Sequence, residues 1–278
     1  MKNQLRKPKM TKRTWFFLLL LLFFVTVLSS LTSRSQGLFY SLIYLLSPAI
    51  AFFSCVFAYK AYGSQNPHGR SLFFLSFGLG CWFLGEIIWI ILEEILAINP
   101  FPSVGDLFFL SSYPFILYGL TNEFRLRQTK CVAQKMFLIV VSSVILSLFV
   151  FYFGVYSAYD SKAGALENIF SIGYGLGDLI ILIANMFVLS LMLEYQKGKL
   201  FYSWSSVFVG FSFTLLADIF FAIFKNQYAL AAEEGFFRQI NDLLWVGGFL
   251  FLSYGFVDIY YSLKETRELV LSKLRGKS

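Results

Sequence analysis

The stretch Ser71-Leu-Phe-Phe-Leu-Ser-Phe-Gly-Leu-Gly-Cys-Trp-Phe-Leu-Gly-Glu86-Ile-Ile-Trp-Ile-Ile91 contains a single charged residue. A helix rising about 1.5 Å per residue needs roughly 20 apolar residues to cross about 30 Å of hydrocarbon. This stretch meets that length and carries an acid inside it. Runs of the same kind recur along the chain, at 15–33, 39–59, 71–97, 104–122, 136–157, 168–194, 201–224 and 240–262. They lack the alternation of a membrane β-barrel, and backbone groups in lipid must be paired within their own segment, so each run is predicted to be a helix. The expected fold is an all-α integral membrane protein with eight transmembrane helices.

Composition agrees. Of 278 residues, 58% are apolar, 20% aromatic and 14% charged, against about 45–50% apolar and about 25% charged for soluble domains. The expected organisation is a basic N-terminus over 1–14, one membrane domain over 15–262 and a basic tail over 263–278. The net charge of +7 does not point to nucleic acid, because the cations sit in the tails and connections. Nineteen of the 23 Lys and Arg fall on one side of the predicted spans, and Arg34, Lys162, Lys225 and Arg238 fall on the other. Basic loops stay in the cytoplasm, so both termini are expected there, with the plasma membrane as the location. A basic start followed by an apolar run also fits a signal peptide. No Ala-x-Ala site follows the run at 15–28, so a retained first helix is expected.

A repeat is visible. Three predicted helices open alike, with Val104-Gly-Asp106-Leu, Leu176-Gly-Asp178-Leu and Ile240-Asn-Asp242-Leu. Gly78 stands before Glu86 at the same spacing as Gly210 before Asp218. The step along the chain from Glu86 to Asp218 is nearly equal to the step from Asp106 to Asp242. This spacing predicts a parallel duplication of a four-helix unit, with copies at 15–122 and 136–262, unlike the inverted repeats of many transporters.

The acids carry the functional reading. An ionised carboxylate at the centre of a membrane helix costs about 2.5–3.5 kcal/mol on insertion scales, so each needs a reason. Glu86, Asp106, Asp178, Asp218 and Asp242 are the candidate ligand-binding residues. Trp82, Trp89, Glu93, Tyr113, Tyr174, Asn185 and Trp245 are candidates to line the pocket around them. On one helix face, Trp82, Glu86, Trp89 and Glu93 follow i+4, i+3 and i+4 spacing. No Lys or Arg lies deep in a predicted span, so the acids are expected to lack cationic partners. They are then either protonated or lining a hydrated pocket, open to the outer face, that takes a cation. Neutral carboxyls bonding between helices would also serve, and Asp106 and Asp242 could cap helix starts. The aromatic residues also have a plainer reading as lipid-facing surface and interfacial belt, which their number favours.

Several chemistries are excluded. The single histidine, His68, falls in a predicted cytoplasmic connection, so His-based zinc and Ser–His catalysis are not expected. Cys55, Cys81 and Cys131 have no metal or disulfide spacing. No cofactor and no metal site are expected.

The segment Cys81-Trp-Phe-Leu-Gly-Glu86 through Pro100-Phe-Pro102-Ser103-Val-Gly-Asp106-Leu-Phe-Phe-Leu-Ser-Ser-Tyr113-Pro114 to Tyr118-Gly119-Leu120 resembles the membrane-embedded N-terminal sensor regions of bacterial diguanylate cyclases. Those regions carry Pro-Ser-x-Ala-Asp, an aromatic-Leu pair, Tyr-Pro and Gly-Leu at similar spacing, with Gly105 here in place of Ala. Relatives of that kind continue into a catalytic domain with a Gly-Gly-Asp-Glu-Phe signature, and this sequence has none up to Ser278. The resemblance implies a stand-alone sensory or ligand-binding module without cyclase activity. The bilayer is its expected surrounding, and the tail 263–278 its route to a cytoplasmic signalling partner. The same carboxylates would also serve a proton- or cation-coupled transporter, and, less readily, a carboxylate-dependent membrane hydrolase.

Overall fold

The computed structural model describes residues 11–33, 37–126, 133–156, 158–194, 198, 200–229 and 235–275. Arg34, Cys131 and the first ten residues, used in the sequence reading, lie outside them. All regular structure among the described residues is helical: α1 (Lys12–Ser33), α2 (Leu38–Tyr62), α3 (Pro67–Ile90), α4 (Val104–Arg125), α5 (Ala133–Val150), α6 (Ala165–Glu194), α7 (Leu200–Ala229) and α8 (Phe236–Arg275). A π-helical turn extends α3 over Ile91–Ile95, and another extends α5 over Phe151–Tyr156.

Seven of these helices are long and apolar enough to cross a membrane. They make this a multi-pass membrane protein. The helix outside the seven, α4, is 22 residues long, but Asp106, Ser111, Ser112, Asn122, Glu123 and Arg125 dilute its apolar run. It is shielded by packing between α3 and α6. Lipid-facing apolar side chains concentrate on α1 and α5, where Leu20, Phe24, Leu31, Phe137, Ile145 and Leu148 are all exposed.

Two hairpins, α3–α4 and α7–α8, make the most extensive helix contacts. Both rest on glycine. A Cβ on Gly78 would lie 2.6 Å from the Ile116 side chain, and one on Gly210 would lie 2.6 Å from the Leu252 side chain. From the facing helices, Gly119 meets Leu75 and the Ser71 carbonyl, while Gly255 meets Val207 and the Ser203 carbonyl. Small residues let membrane helices approach closely and gain packing where lipid supplies no hydrophobic drive. The partners correspond position by position. The offset that carries Glu86 to Asp218 also carries Ser71, Leu75 and Gly78 to Ser203, Val207 and Gly210. The offset from Asp106 to Asp242 likewise carries Ile116 and Gly119 to Leu252 and Gly255.

The remaining contacts follow the same rule. Helix α2 packs on α3 and α8, and α6 packs on α7 and α4. Asn122 Nδ2 donates to Ser71 Oγ at 2.7 Å, and at the matching place Ser203 Oγ donates to Asp258 Oδ2 at 2.5 Å. The outer helices break the pattern. Helix α1 lies on α2 and α8, whereas α5 packs on α6, and its π turn reaches α7.

Helix α8 differs from its expected limits. It begins at Phe236 rather than at 240 and runs unbroken to Arg275, 40 residues in all and about 60 Å long. Nothing stops it after 262, because Lys264-Glu-Thr-Arg-Glu-Leu-Val-Leu-Ser-Lys-Leu-Arg275 contains neither Gly nor Pro. Lys12 at the start of α1 fastens to it, 2.8 Å from Asp258 Oδ1 and 3.1 Å from Ser262 Oγ.

Candidate functional site: acids and their aromatic donors

The ends of α3 and the starts of α2, α4 and α8 meet at one end of the bundle. The start of α4 is fixed locally by a capping box, in which Ser103 Oγ accepts from Gly105 N at 3.1 Å and Asp106 Oδ2 accepts from Ser103 N at 2.6 Å. This satisfies backbone donors that the first helical turn leaves unpaired. Asp106 therefore caps its helix, as its position allowed. Asp242 does not cap, because α8 starts at Phe236 and places it in the second turn.

The π turn after α3 carries Glu93 and Glu94. Glu94 Oε1 accepts from Gly37 N at 3.2 Å and Ser41 Oγ at 2.9 Å, tying α3 to the start of α2. Glu93 takes a two-pronged bond from Arg238, at 2.9 and 3.1 Å. The same guanidinium stands 3.9 Å from Asp242. The expectation that the acids lack cationic partners thus fails for Glu93 and Asp242. Arg238 precedes the predicted span at 240, and the early start of α8 turns it inward over the acids, leaving its side chain 13% exposed.

Beneath that ion pair lie the five candidate acids, and each receives a hydrogen bond from an aromatic side chain. Tyr40 OH donates to Asp242 at 3.1 Å and Tyr44 OH to Glu86 at 3.3 Å. Tyr174 OH donates to Asp106 at 2.6 Å and Tyr113 OH to Asp178 at 2.8 Å. Trp245 Nε1 donates to Asp218 at 2.8 Å. Asp178 and Asp218 stand within electrostatic reach of one another. Glu86 stands within electrostatic reach of Asp218, Asp242 and Glu93. Asp106, Asp178 and Asp242 are buried.

Three of the predicted pocket-lining aromatics, Tyr113, Tyr174 and Trp245, are thus donors at the site. Trp82 sits beside it in the core, with ring centroids 6.1 Å from Phe211 and 5.9 Å from Phe249. Trp89 packs on Phe109 at 6.4 Å. Asn185 lies two turns deeper than Asp178 and serves a different contact, donating to Phe208 O and Ser212 Oγ of α7, both at 3.0 Å.

Tyr40 and Tyr44 escaped the sequence reading. The signal was present: one offset along the chain carries Tyr40 to Tyr174 and Tyr44 to Asp178. The contacts repeat accordingly. Tyr40–Asp242 matches Tyr174–Asp106, and Tyr44–Glu86 matches Asp178–Asp218. Among the described residues, no group of three or more His, Cys, Asp or Glu could hold a metal ion. Comparison with protein-family models, curated proteins and solved structures finds no match for this chain.

Proposed function

We propose that the chain is an eight-span, plasma-membrane sensory or ligand-binding module, built as a parallel duplication with both termini in the cytoplasm. Its acid cluster answers to a proton or small cation arriving from the outer side. The lopsided Lys and Arg distribution supports the orientation. The paired glycine contacts, together with the two matching tyrosine–acid bonds, support the duplication. The motif from Pro102 to Leu120 supports kinship with the membrane sensor regions of diguanylate cyclases. Helix α8 supplies the output route, because one uninterrupted rod joins Asp242 to the tail 263–278.

One arrangement carries the responsive role: Asp178 and Asp218, held by Tyr113 and Trp245, stand within electrostatic reach of each other in the interior. An ionised carboxylate only accepts hydrogen bonds. Two carboxylates that close repel in a low dielectric, and a proton or a cation between them relieves that repulsion. The aromatic donors on their far sides, Tyr113 and Trp245, hold both carboxyls in place while that occupant changes. The buried layer of Leu75, Leu79, Ile116, Leu120, Leu252 and Phe256 separates the acids from the basic end, which favours binding over passage.

The test is thermal unfolding of purified wild type, Glu86→Gln and Asp218→Asn across pH and a panel of monovalent and divalent cations. At least one condition is expected to shift wild type by several degrees, and Asp218→Asn to abolish that shift while remaining folded. Identical responses in all three proteins would overturn the reading. Uptake by reconstituted vesicles would move the assignment to transport.

A further inference from the structure

The opposite, basic end of the bundle holds a second buried ionisable site. His68 Nδ1 lies 2.7 Å from Glu123 Oε1, joining the start of α3 to the end of α4. The Glu123 side chain is 6% exposed and that of His68 37% exposed. The second carboxylate oxygen, Glu123 Oε2, is buried without a hydrogen-bond partner. Beside it is a cavity of about 10 Å³, roughly the size that admits a single water.

Apart from Tyr62, the lining of this cavity is ordered in pairs. His68, Leu72 and Glu123 form one wall, and Leu200, Trp204 and Ile259 form the other. These are matching positions. The offset from Glu86 to Asp218 also carries His68 to Leu200 and Leu72 to Trp204, and the offset from Asp106 to Asp242 carries Glu123 to Ile259. The cavity therefore lies where corresponding surfaces of the two halves face each other. One half presents a histidine and a glutamate there, and the other presents leucine and isoleucine.

We propose that His68 and Glu123 form a proton-binding latch that controls how closely the two halves pack at the basic end. With His68 protonated, an imidazolium balances the buried carboxylate, and the apolar wall of α7 and α8 closes over it. With His68 neutral, the carboxylate is buried against Leu200, Trp204 and Ile259 with no charge to balance it, a costly state. Oε2 then draws in water beyond what the cavity accommodates, and the wall withdraws. The proton enters from the exposed edge of the imidazole.

Among the described residues, the elements packed on the pair supply few other titratable groups. Helix α2 brings Tyr62, whose ring centroid is 5.7 Å from that of the imidazole. From α7 and α8 the contacts are Leu200, Trp204 and Ile259, all without charge. Lys60, Arg70, Arg125, Lys264 and Arg267 belong to the same end of their helices, and Arg267 donates to Ala61 O at 2.7 Å. The proposal is independent of the acid cluster, requiring only the contacts among His68, Glu123 and Trp204.

The experiment uses the full chain in nanodiscs of phosphatidylcholine and phosphatidylglycerol. With one histidine in the sequence, isotope-labelled histidine gives an unambiguous NMR signal for His68. Fluorotryptophan labelling gives one for Trp204, assigned with Trp204→Phe. The expected result is that both signals titrate with one midpoint. Glu123→Gln lowers the His68 midpoint by about one pH unit or more, a tenfold loss of proton affinity, and leaves the Trp204 signal independent of pH. His68→Leu, which copies the matching Leu200, is expected to silence the Trp204 titration even if Glu123→Gln does not fold. A Trp204 signal that ignores His68 protonation in the wild type, or still titrates in His68→Leu, would overturn the proposal. Asp218→Asn is expected to leave both titrations unchanged, which separates failure here from failure of the acid-cluster reading.

Discussion

The α3–α4 and α7–α8 hairpins carry matching glycine contacts and differ in the polar residues around them. Beside α3, Tyr44 donates to Glu86, whereas beside α7 an acid, Asp178, stands within electrostatic reach of Asp218. At the basic end the difference runs the other way, with His68 and Glu123 opposite Leu200 and Ile259. The glycine contacts that set the helix spacing are alike in both, at Gly78 and Gly119 and at Gly210 and Gly255. The matching glycines thus let both hairpins close alike, while changes of polar residues put an acid pair beside α7 and a His–Glu pair between α3 and α4. Two similarly packed hairpins can border two unlike sites because hairpin geometry depends on small residues.

The equivalence of the halves breaks most sharply at the glycines. Gly119→Leu and Gly255→Leu insert a side chain where Leu75 and Val207 already sit. Each is expected to destabilise by about 3 kcal/mol or more, read as lost folded protein in thermal unfolding in detergent. Were one of them harmless, the two hairpins would not be mechanically equivalent. Next comes Arg238→Met, which strands Glu93 and Asp242 without their cation. Removing one partner of a largely buried ion pair costs on the order of 3 kcal/mol, and Arg238→Met with Glu93→Gln together is expected to recover much of that loss in the same assay.

Smaller effects sharpen the contrast. Ser103→Ala removes an N-cap and is expected to cost about 1 kcal/mol by the same melts. Gln239→Ala, near the start of α8, deletes one bond to Ser30 O and is expected to cost less. Last, Tyr113→Phe and Tyr44→Phe each delete one hydroxyl donor, about 0.5–1.5 kcal/mol for a typical bond and more at a charged acceptor. The bond at 2.8 Å is expected to matter more than the bond at 3.3 Å. Equal melts for the two variants would mean that the Asp178–Asp218 pair does not depend on Tyr113.

The helical membrane class and the position of the long helices to within a few residues, apart from the C-terminal end of α8, were legible in the sequence. Hydrophobic run length and the cost of charge in lipid leave few alternatives, so these features are local and one-dimensional. The recurring offsets that relate Glu86 to Asp218 and Asp106 to Asp242 were legible there too. What the acids meet was settled by packing in three dimensions. Which tyrosine reaches which carboxylate depends on how α2 and α6 lean against α8 and α4, and no residue spacing within one helix encodes that. Arg238 became a partner of Glu93 because α8 starts early and turns it inward. Asn185 left the acid site for α7 because it lies two turns deeper. The facing of His68 and Glu123 with Leu200, Trp204 and Ile259 exists only where the two halves close together, since contacts between residues so distant along the chain are set by how whole helices pack.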